Sequence, residues 1–348
     1  MARTRRSIAG RFLKRFEQEK ATYEFAAQQA AALIKEILVN SPALIHLISA
    51  RCKQTSSLWL KLCEKRYGQP AQQVTDIVAA RVITYYKDDV PIILKALTDA
   101  LEVHPHKSVN KREELEAVEF GYTSVHLIAR TKGSWSTSPL YFALKDKWFE
   151  IQVRSILEHS WAEIEHEVVY KSGIVYPALV KRRFARIAGA IEMLEDEFLA
   201  LREHQQQLIE LYKDRYANGE DGTVEIDSVR LIALLECERS GSLGWRSAAR
   251  LGRPFPPHID NRCVKALKQA GVRTGRALKS VLNSKALKSA EILFAREHRI
   301  SEPLSHLNTA RLAILVKSSV IFADYFPEMV SDPGIKRVVQ QKKRQRRQ

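Results

Sequence analysis

Phe149-Glu150-Ile151-Gln152-Val153-Arg154 runs without a break into Ser155-Ile156-Leu157-Glu158-His159-Ser160-Trp161-Ala162-Glu163-Ile164-Glu165-His166, and the fold turns on this stretch. Its first half alternates apolar and polar side chains, the period of a strand with one buried face. Phe149, Ile151 and Val153 then face a core, and Glu150, Gln152 and Arg154 form one row on the other face. Its second half changes period. His159, Ala162, Glu163, His166 and Tyr170 recur at helical spacing, with Ile156, Trp161, Ile164 and Val168 expected on the buried side. The spacing predicts a helix over Ser155–Lys171. A strand with a polar face that runs straight into a helix with a polar stripe forms two walls of a cleft. Taken alone, the row is equally an ordinary half-exposed strand, and the stripe a solvated helix face.

Working outward, Ile77–Tyr86 is an apolar run rich in β-branched residues and suits a buried strand. Leu44–Arg51, Tyr122–Arg130 and Trp148–Arg154 are the other strand segments, and Pro105–Glu119 is a polar loop with a strand near Lys107. Helical spacing covers Ile8–Leu38, Thr55–Tyr67, Val90–Leu101 and Pro177–Leu211, and Asn40-Ser41-Pro42 stops the first of these. This alternation places residues 1–217 in an α/β domain, a mixed β-sheet flanked by helices. Residues 218–224, containing Asn218-Gly219-Glu220-Asp221-Gly222, read as a linker. Beyond it the pattern is all helical. Asp227, Asp260, Thr274 and Ser305 are the expected N-caps of helices near 228–239, 261–270, 275–283 and 306–324, and Gly271 is an expected C′ residue. The tail 336–348 is expected to be disordered.

The 348 residues carry 56 Lys+Arg against 40 Asp+Glu, a net charge of +16. Residues 1–224 hold 32 basic and 29 acidic side chains, a net of +3, whereas 225–348 hold 24 and 11, a net of +13. The excess belongs to the all-α region and suits a polyanionic partner, an RNA or a ribosome surface; a solvated basic face is the plainer alternative. The passage Ala270-Gly271-Val272-Arg273-Thr274-Gly275 is either a plain inter-helix turn or a phosphate-gripping helix-hairpin-helix. No apolar run approaches the ~20 residues that span a bilayer, so no membrane contact is expected. Cys52, Cys63, Cys237 and Cys263 lie far apart, without a Cys-x-x-Cys pair, which suits reduced thiols and a cytoplasmic protein. His-Glu-x-x-His, the P-loop and Gly-x-Gly-x-x-Gly are all absent. These gaps exclude a zinc protease of that type, a P-loop enzyme and a dinucleotide-binding fold.

Asp76 lies at the mouth of the Ile77–Tyr86 strand, and Arg81 lies within it. Asp76 here and Glu150 on a separate strand could share a Mg²⁺, which prefers hard oxygen ligands and substrate phosphates. Arg51-Cys52-Lys53, with Ser57 and Lys61, supplies cations for a triphosphate.

In order along the chain, five motifs together resemble the RelA/SpoT family of alarmone synthetases. They are Arg51-x-Lys53-x-x-x-Ser57; Asp76-Ile77; Gly121-Tyr122-Thr123-Ser124-Val125-His126; Glu150-Ile151-Gln152-Val153-Arg154; and His159-Ser160-Trp161-Ala162-Glu163-Ile164-Glu165-His166 with Tyr170-Lys171. The spacing from His159 to Tyr170-Lys171 is similar to that of the short, synthetase-only members. No His-Asp dipeptide marks a hydrolase domain. The resemblance implies a nucleotidyltransferase-like sheet and a GTP pyrophosphokinase of the stringent response, making (p)ppGpp by moving pyrophosphate from ATP to the 3′-hydroxyl of GDP or GTP with release of AMP.

By position, it implies that Arg51, Lys53 and Lys61 hold the ATP phosphates, with Ser57 nearby. Asp76 and Glu150 would bind Mg²⁺, and Glu150 would help deprotonate the attacking hydroxyl. Arg81, Gln152, Arg154, His159 and Glu163 complete the catalytic cleft. Tyr122 would stack on the acceptor base and His126 would contact acceptor phosphates, with Ala162, Tyr170 and Lys171 on the acceptor side. Many family members precede Gly-Tyr with Lys-Pro-Asn, where this chain has Val118-Glu119-Phe120. The toxin-like branch, which modifies the 3′ end of tRNA or adenine nucleotides, therefore stays open beside GDP and GTP, as does a catalytically silent nucleic-acid sensor. Short synthetases of the family also self-associate as homo-oligomers.

Overall fold

The computed structural model describes residues 2–65, 67–110, 124–170, 177–239, 261–298 and 306–345. The chain divides into two compact units, Met1–Leu199 and Ala200–Gln348.

The first unit is built on a mixed sheet. Its strands are β1 (Ile45–Cys52), β2 (Val78–Thr84), β3 (Leu101–Val103), β4 (Val109–Asn110), β5 (Val125–Thr131) and β6 (Phe149–Ser155). Their order is β1-β2-β6-β5-β3, with β4 pairing to β5. β2 and β6 are parallel, and the other pairs are antiparallel. The helices are α1 (Ala2–Gln18), α2 (Lys20–Ile37), α3 (Thr55–Lys65), α4 (Asp89–Ala100), α5 (Ile156–Glu165) and α6 (Ala178–Ala217), whose length reaches into the second unit. Odd positions of β6 bury as their alternation requires: Phe149, Ile151 and Val153 join Ala80 and Val82 of β2, with Ala30, Leu33 and Ile34 of α2 and Ile93 and Leu97 of α4.

Several elements differ from the sequence expectation. The helix expected over Ile8–Leu38 is two helices that meet at Glu19. Its halves bury in different places: Ala9 and Phe16 pack with Leu58 and Leu62 of α3, whereas Ala26, Ala30 and Leu33 pack on the sheet. One straight rod could not reach both clusters. β3 went unread because three residues carry too little alternation to register. The helix expected over Ser155–Lys171 ends at Glu165 and continues as a π-helical turn, His166–Tyr170. Ile164 and Val168, expected on its buried side, are 58% and 40% exposed. The buried stripe is instead Glu158, Trp161 and Ala162, because Glu158 turns inward to complete a capping box with Ser155.

The second unit is all-α: α7 (Ser228–Arg239), α8 (Asn261–Gln269), α9 (Gly275–Leu282), α10 (Lys285–Glu297), α11 (His306–Lys317), α12 (Ser319–Tyr325) and α13 (Pro333–Gln345). Asp227 and Thr274 accept from the Arg230 and Ala277 amides as N-caps should, and Gly271 has φ +82°. Asp260 and Ser305 lie outside the described residues. The helix expected over 306–324 is broken at Ser318, whose hydroxyl caps α12. α10 was not anticipated, and most of the tail expected to be disordered forms α13. Its Ile335 and Val338 are buried with Leu287 and Phe294 in the unit's core, and that burial orders a strongly basic segment.

Candidate active site

Even positions of β6 share a face with matching positions of its neighbours. Register places Ser49 of β1, Arg81 of β2, Gln152 of β6 and His126 of β5 in one cross-sheet row. Arg51, Ala79, Glu150 and Ile128 form the next row. Residues more than 100 positions apart, such as Ser49 and Gln152, thus share one face because side chains alternate along every strand.

At the mouth of β2, Asp76 is held from two sides. Its Oδ2 accepts from Lys53 Nζ at 2.9 Å and from Lys61 Nζ at 2.7 Å. Burial pushes the Asp76 carboxyl up, but the Lys53 and Lys61 ammonium groups outweigh it and hold the group below the usual carboxylate range. Burial pulls Lys61 down, and its hydrogen bond to Asp76 more than reverses that, leaving its pKa raised. On β6, Glu150 Oε1 lies 2.7 Å from His126 Nδ1, and Glu150 Oε2 accepts from Gln152 Nε2 at 3.1 Å. Burial raises the Glu150 carboxyl, but His126 and Gln152 together keep it depressed, with the Asp76 charge opposing them. Both carboxylates are therefore ionised at neutral pH.

A divalent cation fits this pair. Oδ1 of Asp76 is buried and accepts no hydrogen bond, an orphaned anionic oxygen next to a second carboxylate. Asp76 and Glu150 are the hard oxygen donors that Mg²⁺ prefers, with substrate phosphates and water for the remaining positions.

Farther along β6, Arg154 is 3% exposed and donates to the Gln152 side-chain amide oxygen Oε1. Arg81 Nη1 pairs with Glu163 Oε1 at 2.9 Å, and His159 Nδ1 lies 3.9 Å from the same oxygen, so β2 and α5 meet across the cleft. Burial, then the Arg154 charge, holds the His159 imidazole below its ordinary pKa. Arg51 and Ser57 are exposed, and Ala162 lies on the buried side of α5. The structure thus gathers Asp76, Lys53 and Lys61 in one group, Glu150, Gln152, Arg154 and His126 in a second, and Arg81, His159 and Glu163 in a third. Tyr122 and Lys171 lie outside the described residues; Tyr170 is on the π turn.

Two residues escaped the sequence reading. Ser124, fully buried, bonds His126 Nε2 at 2.7 Å and fixes the ring that holds Glu150. Its i,i+2 spacing from His126 was the available signal. Glu195, 7% exposed on α6, accepts from the Ser155 hydroxyl at the β6–α5 corner, and nothing local in the sequence marks it.

Residues 50–174 match the model for the "Region found in RelA / SpoT proteins". The chain is similar to GTP pyrophosphokinase YjbM of Bacillus subtilis, with 27% identity over 207 residues, 56% of this chain and 92% of that protein. Among solved structures it is similar to small alarmone synthetase 1 of Bacillus subtilis, with 24% identity, 56% of this chain and 98% of that one covered, and a TM-score of 0.46. A GTP pyrophosphokinase family protein of Streptococcus pneumoniae gives 22% identity, 56% and 95% coverage, and a TM-score of 0.46. Residues 50–174 thus carry the region found in RelA / SpoT proteins, and the curated protein to which the chain is similar is a GTP pyrophosphokinase.

Proposed function

We propose that this chain is an ATP-dependent nucleotide pyrophosphokinase that transfers pyrophosphate to the 3′-hydroxyl of GDP or GTP, making (p)ppGpp and AMP. The observation that carries the reading is the pair of ionised carboxylates, Asp76 just before β2, clasped by Lys53 and Lys61, and Glu150 on the neighbouring β6, clasped by His126. The relative's name, GTP pyrophosphokinase, supports the same acceptor.

The acceptor 3′-oxygen bonds to the β-phosphorus of ATP, the bond from that phosphorus to the α,β-bridging oxygen breaks, and AMP departs. Glu150, kept ionised and aimed by His126, takes the hydroxyl proton. Lys53, Lys61 and the exposed Arg51 bind the triphosphate, and Arg81, Gln152 and Arg154 shape the cleft floor. When bound at Asp76 and Glu150, Mg²⁺ supplies neutralisation of phosphate charge. Positioning and charge neutralisation carry most of the acceleration in such transfers.

Label transfer from γ-³²P-ATP, with GDP, GTP, ATP and bulk tRNA offered separately, tests this. Label on GDP or GTP is expected, and Glu150→Gln or Asp76→Asn should lower it by roughly 10²–10⁴-fold. Label on tRNA alone would replace the guanine-nucleotide acceptor with an RNA 3′ end, and no label on any acceptor would sink the enzyme reading.

A further inference from the structure

Residues 261–288 contain eight Lys and Arg and no Asp or Glu. Three of the eight are spoken for: Arg262 pairs with Glu328, Lys268 with Glu225 and Lys279 with Glu238. The other five, Lys265, Arg273, Arg276, Lys285 and Lys288, are all exposed and have no ion pair among the described residues. They project from the outer sides of α8, the turn after it and the starts of α9 and α10. The inner sides of the same helices bury Cys263, Leu267, Leu278, Leu282 and Leu287.

Their placement works against the fold. Arg276 is the second residue of α9, and Lys285 and Lys288 are the first and fourth of α10, with no acidic residue in either first turn. A cation there opposes the helix macrodipole. Stability alone would favour acids at these positions. A bound polyanion turns that opposition into attraction.

No large apolar side chain is exposed within 261–288, so the surface lacks the buried anchors on which protein partners rely. Dispersed point charges without such anchors are how proteins hold a phosphate backbone. We propose that the outer face of α8, the Gly271–Thr274 turn and the first turns of α9 and α10 form an RNA-docking surface. The choice of RNA over DNA rests on the ribonucleotide chemistry proposed above.

The test is fluorescence anisotropy of a labelled RNA stem–loop titrated with the full chain. Five phosphate contacts give a slope of log Kd on log salt of roughly 3.5–4.5, a loss of about 10²-fold between about 50 and about 200 mM KCl. Arg273→Ala, Arg276→Ala, Lys285→Ala and Lys288→Ala combined should lower that slope by about 3 without lowering the melting temperature. An unchanged slope would overturn the proposal. So would equal affinity for a DNA duplex of the same sequence, or equal competition by poly-glutamate. Label transfer to free nucleotides, measured on the same samples, keeps the two readings apart. The variant should retain it, and its absence from the unmodified chain would count against the enzyme reading alone, since binding is scored without it.

Discussion

His126 shows how much one ring can carry. It reaches Glu150 through Nδ1 and Ser124 through Nε2, each at 2.7 Å, so the base of the proposed reaction is aimed by a ring that is itself fixed. His126→Ala should lower turnover by about 10–100-fold with little change in KM for ATP, as the loss of a supporting partner does. Steady-state kinetics would check this, and an unaltered turnover would remove the positioning role. His159 makes a second prediction. Burial and the neighbouring Arg154 depress its pKa, so the unfolded chain takes up the proton first as pH falls. Stability is therefore unaffected above the ordinary histidine pKa of about 6.5 and declines as pH falls below it toward the folded value. Melting curves across that window should lose part of their acid dependence in His159→Gln.

At the level of elements, α13 is the most instructive. Asp332 Oδ1 accepts from the Ile335 amide at its start and lies 3.0 Å from Nε2 of His298, the C-cap of α10. Burial raises the Asp332 carboxyl, but the His298 and Ile335 hydrogen bonds outweigh it and leave it depressed. The sign for stability follows: the contribution is full above the unfolded carboxylate pKa of about 3.9 and is lost as pH falls through the folded value. Asp332→Ala should cost about 0.5–2 kcal/mol, read as a lower denaturant midpoint. Gly334 lies in the same crossing, where a Cβ would come within 2.9 Å of His298 and Phe294 side-chain atoms. Residues 336–348 read as disordered because they are rich in Lys and Arg, and the value of Val338 within them and Ile335 just before them depends on a core that charge counting does not see. β6 was legible for the converse reason, since six alternating residues announce a half-buried strand without help from elsewhere.

Across the whole chain, two cores imply two folding units. Ile209, Tyr212 and Tyr216 of α6 belong to the core of the second unit, so that unit needs residues before the 218–224 turn. A fragment covering 200–348 should melt cooperatively, and one covering 218–348 should be weaker by about 2–5 kcal/mol, the cost of losing a large buried side chain. Equal stability of the two fragments would contradict this. The motifs, their order, the strand alternation and the charge asymmetry were determined by the sequence by itself, because each depends only on neighbours along the chain. Tertiary structure decided which residues clasp Asp76, that His126 serves Glu150, that Glu195 meets Ser155 from 40 positions away, and that the basic tail is a packed helix. Those outcomes depend on burial and on hydrogen-bond partners far away in the chain, and periodicity carries no record of either.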